Sequence, residues 1–111
     1  MKSEIKNITN YSLYFDYSFD EDKQEFSRGK LLHVVQNICR HYVDSFYVQP
    51  DEVYVFENGE FQRTTRFQIQ FSYFDDAIAD RMAEDICAIL GLDAVQILVT
   101  EGKKYRIIER L

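Results

Sequence analysis

The feature that most constrains the fold is a change of period between Arg63 and Leu92. Phe67, Ile69, Phe71 and Tyr73 alternate with Arg66, Gln68, Gln70 and Ser72. A period of two places aromatic and branched side chains on one face and polar ones on the other, as in a strand covered on one side. Past Ser72 the spacing becomes helical. Ile78, Met82, Ile86, Ile89 and Leu90 recur on one stripe of a helix. Ser72 with Asp75 fits a capping box, and Asp75 or Asp76 fits a simple cap. Gly91 followed by Leu92 fits a left-handed helix stop with a hydrophobic contact behind it. A strand, a cap and a helix in succession point to an α+β domain.

The flanking segments extend the pattern. Tyr11, Leu13, Phe15, Tyr17 and Phe19 alternate with Ser12, Tyr14, Asp16 and Ser18, which predicts a first strand. Ser27 is a candidate cap for a helix that starts near Gly29 and runs to about Phe46. Leu31, Val35, Ile38, Cys39, Tyr42 and Phe46 gather on one side of it. Gln49-Pro50-Asp51 reads as a break. Val53–Phe56 is a short second strand. Asn58-Gly59 supplies the positive φ angles of a two-residue hairpin, so Phe56 should face Phe61 and Tyr54 should face Arg63. That register puts Tyr54, Phe56 and Phe61 on the side of Phe67. Either the second face is partly covered, or a bulge near Arg63 resets the parity. Val95, Ile97 and Val99, a turn at Glu101-Gly102, and Tyr105–Ile108 read as a closing hairpin. The predicted order is β-α-β-β-α-β-β. The expectation is one α+β domain over residues 1–111: an antiparallel sheet with two helices on one face, a ferredoxin-like sandwich with an extra C-terminal strand.

A chain of 111 residues buries roughly two-thirds of its unfolded surface, enough for one core. That core should be aromatic, since there are nine Phe and eight Tyr but no Trp. Met1–Asn10 holds no long apolar run, so a cytoplasmic protein without a membrane span is expected. Cys39 and Cys87 fall on the two predicted helices. A disulfide is open to them if those helices lie side by side. The preferred reading is two small buried thiols in a reducing compartment.

The net charge of −6 disfavours nucleic acid and anionic membrane as direct partners and admits a basic protein. The acids are grouped. Asp16–Glu25 carries five acids and one lysine, Asp51–Glu60 four acids and no base, and Asp75–Asp93 six acids and only Arg81. Lys103, Lys104, Arg106 and Arg110 stand near the C-terminus, which makes the chain bipolar. On the second helix Asp76, Asp80 and Glu84 are four apart and form a carboxylate stripe. Like charges at that spacing cost roughly 0.2–0.5 kcal/mol per pair.

Catalytic motifs are missing from the sequence. It has no Gly-x-Ser-x-Gly and no phosphate-cradling glycine loop, and its four glycines are few. His33 and His41 are eight apart, a poor chelate, and neither cysteine has a metal-site spacing. No cofactor or metal is expected. The reading is therefore a non-enzymatic inhibitor or antidote that engages a basic, nucleic-acid-handling enzyme. Its main contact would be Asp76, Asp80 and Glu84, with Asp20, Glu21, Asp22, Asp51 and Glu52 as a second. The alternative is a self-assembling or particle-associated subunit, with the C-terminal strand as a pairing edge.

Overall fold

The computed structural model describes residues 2–18, 27–73 and 75–109, and side chains over 8–18, 27–73 and 75–100. Six elements follow one another: β1 (Lys2–Tyr17), α1 (Arg28–Tyr42), β2 (Tyr47–Glu57), β3 (Glu60–Tyr73), α2 (Asp76–Leu90) and β4 (Gln96–Glu109). The strands form one antiparallel sheet in the order β2-β3-β1-β4. β2 and β4 are its outer strands.

Both helices bury their stripes on one face of this sheet. Leu31, Val35, Ile38 and Cys39 of α1 join Ala79, Met82, Ala83, Ile86 and Leu90 of α2 over Tyr11, Leu13, Phe15, Phe67, Ile69 and Phe71. The two central strands supply those last six as three cross-strand pairs, Tyr11 with Phe71, Leu13 with Ile69 and Phe15 with Phe67. The aromatic pairs stack, with centroids 5.2 Å and 5.1 Å apart. Each stack is worth ~0.5–1.5 kcal/mol beyond its buried area. The α2 stripe is rotated slightly from the sequence expectation: Ala79 and Ala83 are buried, whereas Ile89 is exposed.

The helix ends follow local chemistry. Ser27 caps α1, its hydroxyl accepting from the Lys30 N–H at 3.3 Å. Asp75 caps α2, its carboxylate accepting from the Ala77 N–H at 3.0 Å. Ser72 takes no part in that cap. Its hydroxyl donates to Asn10 across the sheet. Gly91 takes the left-handed conformation, φ 66°, and the Leu92 N–H closes back on the Cys87 carbonyl at 3.0 Å.

Three expectations need correction. The closing hairpin is a single strand, so the sheet has four strands and not five. The turn signal at Glu101-Gly102 marks a β-bulge: the register steps from Asn10↔Thr100 to Ile8↔Lys103, so both residues oppose Thr9 alone. β4 can run on because β1 begins at Lys2 and offers it partners as far as Lys2↔Glu109. Second, Pro50 interrupts nothing. It lies within β2, where an outer strand tolerates a missing N–H. Third, α1 stops at Tyr42, and Phe46 packs against the core from beyond the helix.

The hairpin register is as the Asn-Gly signal predicts, with Phe56 opposite Phe61 and Tyr54 opposite Arg63. Asn58 and Gly59 both have positive φ, 53° and 78°. Pairing runs without a shift from Tyr47↔Gln70 to Glu57↔Glu60, so no bulge resets the parity.

Candidate functional site

Three surfaces carry the functional possibilities. The first is the end of the β2–β3 hairpin. On the helix-bearing face of β3 the buried run begins at Thr65. Outward from it, past the Arg28–Glu52–Arg63 ion pairs, no helix among the described residues covers that face, and Tyr54, Phe56 and Phe61 are 62%, 63% and 72% exposed. The rings of Phe56 and Phe61 meet edge to face at 5.1 Å. The chain measures 58 × 27 × 24 Å with a radius of gyration of 17.0 Å. A compact chain of this length has roughly 13 Å. The excess lies in strands that outrun their helices.

The second surface is the outer face of α2. Asp76, Asp80 and Glu84 are all exposed there. They are not equivalent. Asp76 accepts a hydrogen bond from the buried Tyr11 hydroxyl, tying the start of α2 to the centre of the sheet. Burial, with the Asp76 bond second, pushes the Tyr11 hydroxyl up to about 12. Among the described residues, no ion pair engages Asp80 or Glu84. Next to the stripe, Asp85 accepts from the Tyr42 hydroxyl of α1. That bond, more than burial, raises the Tyr42 hydroxyl above the usual phenol range.

The predicted second acidic contact does not come together. Glu52 lies between Arg28 and Arg63, at 3.5 Å and 3.6 Å. Asp51 is on the opposite face of the same strand, where it accepts from the Gln49 amide at 3.1 Å. Asp20, Glu21 and Asp22 lie outside the described residues. Asp16 is also neutralised, accepting two hydrogen bonds from its cross-strand partner Arg66 at 2.7 Å and 3.1 Å.

The third surface is the sheet face turned away from the helices. A trough of about 700 Å³ crosses it. The row Tyr47, Gln70, Ser12 and Leu98 spans all four strands in register. All four residues of that row line the trough. Gln68 donates to the Tyr14 hydroxyl at 3.1 Å and closes one end. The alternation of the first strand places Tyr14 on this face but does not reveal the trough, because a concavity depends on which rows align across strands.

His33 and His41 are both exposed on α1. Among the described residues, no group of three or more His, Cys, Asp or Glu side chains converges. Both cysteines are free. The Tyr42–Asp85 bond shows that the helices are neighbours, yet Cys39 remains a buried thiol, pushed up to about 12 by that burial. No helix among the described residues is long and apolar enough to cross a membrane.

No family model matches the chain. No curated protein matches it either. Solved structures do. A phage SAM lyase in complex with S-methyl-5'-thioadenosine is 12% identical, with a TM-score of 0.55 over 92% of this chain and 90% of that one. CutA from Synechococcus elongatus is 9% identical, with a TM-score of 0.56 over 92% of this chain and 85% of that one. At such identities the likeness is one of fold: a small α+β unit with a four-stranded antiparallel sheet and two helices.

Proposed function

We propose that this chain is a self-associating, non-catalytic subunit whose copies meet through the β2–β3 hairpin. The order β2-β3-β1-β4 is read as a ferredoxin-like frame, with the hairpin and the paired ends of β1 and β4 extended beyond it. One observation carries the proposal: Tyr54, Phe56 and Phe61 are exposed on an arm of the sheet that no helix among the described residues covers. Burying three rings exposed to this degree removes roughly 400 Å² from water on one copy. A standard interface takes about 800 Å² from each partner. The outer edge of β2 can supply the rest, since Val53–Phe56 is an apolar edge that no strand among the described residues pairs.

A second copy is the partner that the charges suit. The hairpin end carries Glu57 and Glu60, which no ion pair engages among the described residues, and β4 contains Lys103, Lys104 and Arg106 against Glu101 and Glu109 on the other outer strand. Acidic edge to basic edge is a head-to-tail contact, which closes into a ring or runs on as a filament. Light scattering across protein concentration and salt tests the idea. Several copies per particle at low salt, dissociating as salt rises, support it. A monomer under every condition contradicts it.

The exposed Asp80 and Glu84 favour a second reading, an inhibitor or antidote that engages a basic, nucleic-acid-handling enzyme through α2. Changing Asp80→Asn and Glu84→Gln should then weaken that binding and remove its salt sensitivity, while the melting temperature holds or rises. Unchanged affinity removes this reading. From the phage lyase no catalytic residue is carried over, because at 12% identity the two chains share only a frame.

A further inference from the structure

We infer that the trough on the open sheet face binds a neutral purine-type nucleoside. The row Tyr47–Gln70–Ser12–Leu98 presents four different chemistries in sequence: an aromatic plane, a primary amide, a hydroxyl and an aliphatic wall. Tyr47 and Leu98 are each 55% exposed, so both walls are available to a guest. Among the described residues, no side-chain hydrogen bond engages Gln70 or Ser12. Their neighbours are engaged: Tyr47 donates to Gln49 at 3.2 Å, Gln68 donates to Tyr14, and Ser72 donates to Asn10. Polar capacity is therefore left over at Gln70 and Ser12, in the middle of the trough.

A glutamine amide sets one donor beside one acceptor. That pair matches the edge of an amino-substituted purine, which offers an acceptor beside a donor. Stacking on a tyrosine plane contributes roughly 1–3 kcal/mol per base. Ser12 and Thr100 add hydroxyls that suit a sugar. The volume of about 700 Å³ falls within the range of small-molecule sites. Among the described residues, no Lys, Arg, Asp or Glu lines the trough. Among the described side chains, the nearest charged row, Asp51–Arg66–Asp16, lies beyond Tyr14 and Gln68, and its Asp16 and Arg66 are paired. This inference does not depend on self-association, since the hairpin tip is outside the trough.

Adenosine titration followed by amide chemical shifts tests it on the whole chain. Shifts should concentrate at Ser12, Tyr47, Gln70 and Thr100. Gln70→Leu and Tyr47→Ala, both at exposed positions, should each weaken binding about tenfold, the effect of one hydrogen bond or one stacked ring. N6,N6-dimethyladenosine, which lacks the amino donors, should bind as weakly as adenosine does to Gln70→Leu. Adenosine monophosphate should bind no more tightly than adenosine. A Phe56→Ser, Phe61→Ser chain should keep the affinity whether or not it assembles. Absence of shifts at millimolar adenosine, shifts confined to another face, or a clear preference for the phosphate would overturn the proposal.

Discussion

At the scale of single residues, Tyr11 connects the core to α2. Its ring stacks on Phe71 and its hydroxyl reaches Asp76. Its folded-state pKa is raised, from 10.0 to about 12, chiefly by burial. A raised value stabilises the fold fully below the unfolded value, and that stability is lost as pH rises through the folded one. Urea denaturation should therefore show declining stability between pH 10 and 12, and Tyr11→Phe should flatten the decline. At neutral pH the same change should cost ~1.5–3 kcal/mol, as for a hydrogen bond to a charged group. The cysteines give a second residue-level test. Cys39 is fully buried with a raised pKa, and Cys87 is half-buried. A thiol reagent should label Cys87 first, and Cys39 only on unfolding. Equal labelling of the native protein would contradict the packing of α1.

At the scale of elements, the ends are set by local chemistry that substitutions can reach. Gly91 holds φ 66°, so Gly91→Ala should lower stability by about 1 kcal/mol or more, measured by denaturant midpoint. An unchanged midpoint would mean that the turn is not required. These ends were readable in advance, because Ser27, Asp75, Asn58 and Gly91 act through their own backbone neighbours. So were the central strands, whose apolar residues alternate over the core. The outer strands were less readable. Lys2–Thr9 is rich in polar residues and does not announce a strand alone, whereas Tyr105–Ile108 reads as a strand but as the arm of a hairpin; the pairing of the two segments makes each part of one long strand. Gly102 looked like a turn for the same reason: a bulge and a turn use the same residue, and only the partner strand distinguishes them.

At the scale of the whole molecule, the acids divide according to their neighbours. The spacing of Asp76, Asp80 and Glu84 on one helix face was visible from periodicity, and the structure keeps all three outward. The pairing of Glu52 with Arg28 and Arg63 was not visible, because those three come from α1, β2 and β3. The exposed hairpin rings stood between both cases. Their shared face followed from the Asn-Gly register, but their exposure depends on where the helices end. The arm bears three exposed rings, and the proposed self-association would cover them with a second copy. Sedimentation velocity of the natural chain beside a Phe56→Ser, Phe61→Ser variant tests this most directly. The natural chain should sediment as a multiple of 13.2 kDa, and the variant as a single folded chain with unchanged circular dichroism. Equal sedimentation of the two, at any number of copies, would contradict it.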